Sequence, residues 1–323
     1  RVLFRSRSFT EAGFRLDSLT ERLYTEYRRF GETLFAEQNA RLVLGNRYYA
    51  PENALTEEFI AARASTNDVA VLSFGRLAGE GNDRPLADFY LSEVERQLLE
   101  RVCTAFHSAG KRVVVVLNIG GVIETASWRD LPDAILVGWQ GGQEGGRATV
   151  DVLSGKVSPS GRLPMTFPMD YNDHPSSRNF PINYRSHRGD WADNAPERRI
   201  KNLGYTDYEE DIWIGYRYFS SWAPERAAYP FGYGLSYTTF AWSDATVSRS
   251  GDACQVQVRV TNTGSRPGKE VVELYVAAPE SPLPKPVREL RAFAKSRELA
   301  PGQSELLTLR FQTDDLASFD PAT

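Results

Sequence analysis

The hydrophobic period of this chain changes at Phe240, and that change limits the possible folds more than any other feature. Before it, apolar runs alternate with helical patterns. Val69–Phe74 is a short apolar run ending at Gly75, the pattern of a buried strand. Ser92-Glu-Val-Glu95 has capping-box form and opens a helix with apolar positions at Val94, Leu98, Leu99, Val102 and Phe106, closed by Gly110. Arg112–Leu117 and Ala134–Val137 are two further strands, the second followed by a Gly-rich turn and a helix to Leu153, stopped by Gly155. Strands separated by helices of this length make a mostly parallel sheet covered on both faces. After Phe240 the period is two. Gln255–Val260 alternates strictly, Asn262–Gly264 turns the chain, Val271–Val276 returns, and Leu306–Phe311 alternates again after Pro301-Gly302. Short alternating strands with turns about every ten residues predict a β-sandwich of immunoglobulin or fibronectin type.

The flanking segments differ from both. Residues 1–63 are rich in Arg and Glu, with Leu16, Leu19, Leu23, Tyr27, Phe30 and Leu34 at helical spacing. They read as a helical linker region with helices at about Asp17–Glu37 and Thr56–Arg63. The α/β sandwich domain is expected over 64–168. Residues 169–238 read as an irregular linker, whose aromatic clusters at Trp213–Phe219 and Tyr229–Tyr237 favour wrapping over disorder. Residues 239–323 then form an incomplete fibronectin-like domain, because about five strands fit where such a sandwich has seven. The chain starts at Arg1 and its first Met is Met165, so the sequence reads as a fragment cut at both ends. That leaves a signal peptide and the compartment, cytoplasmic or exported, open.

Composition excludes several classes. The net charge is −4, and 32 of the 38 basic residues are arginine with no lysine cluster, so there is no basic field for nucleic acid or acidic lipid. No apolar run approaches the roughly 18 residues of a membrane span. Cys103 and Cys254 are too few for a disulfide framework, and Cys103, in a helical apolar pattern, reads as a small buried hydrophobe. His107, His174 and His187 share no metal-ligand spacing. No metal and no cofactor are expected.

Ligands bind at the carboxyl ends of strands in open α/β sheets, which directs attention to two clusters. The first strand runs into Gly79-Glu80-Gly81-Asn82-Asp83-Arg84. Glu80 between two glycines is a carboxylate on unshielded backbone, suited to reaching into a site on another domain, although most loop carboxylates are simply solvated. Asp83 and Arg84, with Gly79 and Gly81, read as loop-ordering residues. The second cluster is Trp139 to Gly146. Neither it nor the first has the spacing of a dinucleotide or phosphate loop, so close packing of turn on sheet is the favoured reading. Gly234-Leu-Ser236-Tyr-Thr238 lacks the last glycine of a nucleophile elbow.

These motifs, together with Asp88–Leu91, Val116–Gly120, Ser158–Pro164, Thr166–Pro168, Gly215–Tyr218, Phe231–Tyr237 and Thr261–Gly264, follow one another as they do in glycoside hydrolase family 3, which the chain resembles over most of 65–320. The resemblance implies a (β/α)8 barrel preceding the α/β sandwich on the same polypeptide, and a retaining mechanism with an aspartate nucleophile on that barrel. Glu80 matches the acid/base glutamate of the family's β-glucosidase branch; no residue here matches the nucleophile. The implied partners are a β-linked oligosaccharide or glucoside and the barrel. Trp139 is a candidate sugar contact, with packing the favoured role. Substrate readings are β-glucosidase first, then β-xylosidase or β-N-acetylglucosaminidase; from another class, a non-catalytic carbohydrate-binding or interaction module.

Overall fold

A computed structural model describes residues 2–40, 51–76, 84–178, 208–280 and 283–319. Its contacts divide the chain into two units. One comprises residues up to Leu153 with the segment beginning at Met169; the other comprises Ser154–Pro168 and the chain from Tyr208 onward.

The first unit opens with helices α1 (Val2–Glu11), α2 (Ser18–Leu34), α3 (Ala36–Ala40) and α4 (Glu57–Thr66). Asp17 caps α2, accepting from the Thr20 N–H at 2.8 Å, and Thr56 caps α4. Both are the short polar residues that satisfy first-turn N–H groups. The sequence pattern does not announce α1, whose apolar residues are not repeated at helical spacing. Strand β1 (Val69–Gly75), helix α5 (Glu93–Ser108), strands β2 (Arg112–Asn118) and β3 (Ala134–Val137) and helix α6 (Gly145–Leu153) follow. The three strands are parallel in the order β1-β2-β3. Both bonds of the predicted capping box are present: Glu95 N–H to Ser92 Oγ and Ser92 N–H to Glu95 Oε2. Gly110 closes the α5 turn at φ +69°, a left-handed conformation that costs glycine little. Val113, Val115, Val116 and Leu117 of the central strand are all fully buried. A strand buried on both faces has helices on both, as its β-branched run requires. Cys103 is buried in α5.

The second unit contains β4 (Phe167–Pro168), α7 (Tyr216–Trp222) and β5 (Ala227–Tyr229), with β4 and β5 paired antiparallel. Aromatic rings organise this part. Tyr216 lies 4.9 Å from the Phe231 ring and its hydroxyl accepts from the Leu290 N–H at 2.8 Å, an apolar body with a satisfied polar tip. Then come β6 (Phe240–Ser250), β7 (Ala253–Asn262), β8 (Val271–Val276), β9 (Glu289–Lys295) and β10 (Ser304–Gln312). They form two antiparallel sheets, β10-β7-β6 and β8-β9, over a core of Val258, Val260, Val272, Leu299, Leu307 and Leu309. The period-two pattern thus becomes a sandwich of fibronectin type. Asn262, read from sequence as part of a turn, is fully buried. Its amide donates to the Arg266 and Leu299 carbonyls at 2.7 Å and accepts from the Thr238 hydroxyl at 2.7 Å. Among the described residues no helix is long and apolar enough to cross a membrane.

Candidate active site

The carboxyl ends of β1, β2 and β3 fall at Gly75, Asn118 and Val137, and three connections leave from this edge of the sheet. Glu80, with Gly79, Gly81 and Asp83, lies outside the described residues. The residues on either side of them are described. Arg76 follows β1 directly, its own N–H extending the ladder to the Asn118 carbonyl. Its side chain is buried at 8% exposure and makes a bidentate pair with Glu95, at 2.9 and 2.8 Å. Arg84 donates from one Nη to the carbonyls of Asp88 (3.1 Å) and Val122 (3.2 Å). Burial lowers its guanidinium pKa against the opposing charge of Asp88, with the charge of Arg76 a smaller contribution in the same direction as burial.

Beyond Arg84 a 3₁₀ turn, Leu86–Phe89, sets Phe89 into the core. Phe89 packs edge-on against Tyr90 and Tyr171, at 5.1 and 5.5 Å. The Tyr90 hydroxyl donates to Asp170 at 2.8 Å; burial, then this bond, pushes its pKa up to about 12. The connection after β2 is buried at Ile119, Ile123, Glu124 and Trp128. Glu124 is the one that could be mistaken for a catalytic carboxylate. Both its oxygens are occupied by Ser127, from the N–H at 2.6 Å and the hydroxyl at 2.8 Å, which gives it the role of closing its own turn.

The third connection holds Trp139, half-buried, at φ +44°. A bulky residue held in the left-handed region stores local strain, which clusters at functional positions. Of the glycines after it, Gly141 is the tightly packed one: a Cβ there would stand 2.8 Å from the Gly145 Cα. The approach lies within the turn itself, between Gly141 and the first residue of α6. Among the described residues no group of three or more His, Cys, Asp or Glu could hold a metal ion. The sequence reads β1 as a buried strand, but it is an edge strand whose alternate residues are exposed, with Phe74 its one buried residue; Arg76, directly after it, is the site-edge residue that sequence reasoning missed.

Residues 16–237 match the model of the glycosyl hydrolase family 3 C-terminal domain, and residues 270–323 match that of the fibronectin type III-like domain. The chain belongs to glycoside hydrolase family 3. Among curated family 3 relatives, β-glucosidase A of Butyrivibrio fibrisolvens is 38% identical over 312 residues, covering 83% of this chain and 35% of that protein. An exo-α-(1→6)-L-arabinopyranosidase of Bifidobacterium breve is 34% identical over 263 residues, covering 80% and 31%. Of solved structures, β-glucosidase 3B from Thermotoga neapolitana in complex with glucose superposes with a TM-score of 0.85 at 43% identity, over 97% of this chain and 41% of that one. The chain thus spans about a third of the length of the curated relatives it matches.

Proposed function

We propose that this chain supplies the acid/base carboxylate, Glu80, of a retaining, exo-acting β-glycosidase whose leading substrates are β-glucosides. The observation that carries the reading is the family 3 match running through the strand end where Glu80 lies in sequence, with β-glucosidases among its relatives. In this account the sandwich that bears Glu80 is built from β1 to α6, Val69 to Leu153. The nucleophile is an aspartate on a (β/α)8 barrel of the same polypeptide, outside these 323 residues.

Retention requires two carboxyl groups about 5–5.5 Å apart across the anomeric carbon. In the first step the nucleophile's oxygen bonds to C1 while the C1–O glycosidic bond breaks. Both electrons of that bond leave with the departing oxygen, which takes the proton of the Glu80 carboxyl. In the second step the Glu80 carboxylate removes a proton from water, whose oxygen bonds to C1 and expels the aspartate. Proton transfer of this kind is worth roughly 10²–10⁴-fold. A member of such a pair acting alone forfeits most of the rate, so the 323 residues by themselves should not hydrolyse an aryl β-glucoside.

The decisive test uses the leaving group. In the complete gene product, Glu80→Ala should lower kcat/KM for an alkyl β-glucoside by roughly 10²–10⁴-fold. For a dinitrophenyl β-glucoside, whose leaving group needs no proton, the loss should be far smaller. Equal losses on both would contradict the role. A second substrate reading, α-L-arabinopyranosides, is favoured by the Bifidobacterium breve relative; comparing kcat/KM for the two aryl glycosides separates them.

A further inference from the structure

Arg76 uses every hydrogen it has. Its guanidinium donates from Nε to the Asp88 carbonyl at 2.9 Å, from Nη1 to the Gly75 carbonyl and Glu95 Oε1 at 2.9 Å each, and from Nη2 to the Tyr90 carbonyl at 2.7 Å and Glu95 Oε2 at 2.8 Å. Those are all five N–H donors an arginine has. The acceptors come from three places: the end of β1, the turn at 88–90, and the first turn of α5. Glu95 is itself fixed, since its Oε2 also accepts from the Ser92 N–H of the capping box.

Arg84 reaches the same point from the other side. The Asp88 carbonyl accepts from both Arg76 and Arg84, so one oxygen joins the residues before and after 77–83. The second bond of Arg84, to Val122, ties it to the connection after β2. A buried ion pair adds little net stability over well-packed apolar residues. The arginine fork in particular specifies orientation, which a lysine does not.

We propose that Arg76, Glu95 and Arg84 form a clasp at the roots of residues 77–83 and act as positioning residues, setting where the Glu80 carboxyl meets the leaving oxygen. This rests on the reading of Glu80 as the acid/base. Misplacement by about 1 Å costs on the order of 10²-fold in such reactions, so the clasp acts on proton transfer through geometry.

The test is Arg76→Lys in the complete gene product, which keeps the charge and removes the fork. The expected result is a roughly 10- to 100-fold fall in kcat/KM for an alkyl β-glucoside with under about 3-fold for the dinitrophenyl β-glucoside, which needs little acid assistance. A purely structural role would lower both alike, and that flat ratio, or no fall at all, would overturn the clasp. If Arg76→Lys does not fold, Glu95→Gln, which keeps the side-chain shape, decides by the same ratio. Glu80→Ala is assayed alongside. A flat ratio there overturns the acid/base reading and the clasp with it, whereas a steep ratio for Glu80→Ala beside a flat one for Arg76→Lys overturns the clasp alone.

Discussion

The two ends of the parallel sheet are both charged, but they are built on different plans. At the amino end, Asp133 accepts from the Val113 N–H at 2.8 Å, from Arg112 and from His107 Nε2 at 2.9 Å. Arg112 is 77% exposed and His107 41%. The Val113 N–H first, then Arg112, hold the Asp133 carboxyl well below the usual carboxylate range. At the carboxyl end, Arg76 is 8% exposed and every donor is committed to a fixed acceptor. A strongly perturbed carboxylate, Asp133, therefore sits at the end away from the proposed chemistry. A shifted pKa identifies a site only together with its place in the fold.

Substitutions at the two ends should separate them. The largest effect belongs to the carboxyl end: Glu80→Ala removes proton transfer worth roughly 10²–10⁴-fold, and a loss of that size on alkyl glucosides with unchanged Tm sharpens the contrast. Trp139→Ala, at the same edge, comes next. If the indole contacts sugar, KM rises roughly 2- to 10-fold, the equivalent of about 0.5–1.5 kcal/mol, and Tm holds. An unchanged KM with a lowered Tm would make Trp139 a packing residue. The smallest catalytic effect is at the amino end, where Asp133→Asn should leave kcat/KM intact and lower stability at pH 7. Its folded-state pKa is depressed, so its contribution is present above the unfolded value of about 3.9 and lost as pH falls through the folded value. Melting curves of the two proteins should therefore converge below about pH 4, and a constant gap down to pH 2 would break the assignment.

What was legible in the sequence was local. The capping box at Ser92 and Glu95, the apolar run of β2 and the alternation of β7 are fixed by residues a few positions apart, and each formed its element. The features that shape the site edge are not local. Arg76 meets Glu95 across 19 positions, and Tyr90 meets Asp170 across 80; no periodicity encodes such pairings. Asn262 has the composition of a turn, and its burial follows from the Thr238, Arg266 and Leu299 groups that surround it. The strained backbone of Trp139 leaves no mark in the chain, since tryptophan has no preference for positive φ. Glu80 was singled out by its place after β1 and by the family resemblance, with no periodic signal of its own.

The most direct measurement is azide rescue of Glu80→Ala, in the complete gene product with a dinitrophenyl β-glucoside. Without its base the glycosyl-enzyme should accumulate, and azide, which needs no deprotonation, should restore turnover and yield the β-glucosyl azide. Absence of rescue, or an azide of α configuration, which would assign Glu80 as the nucleophile, would contradict the account.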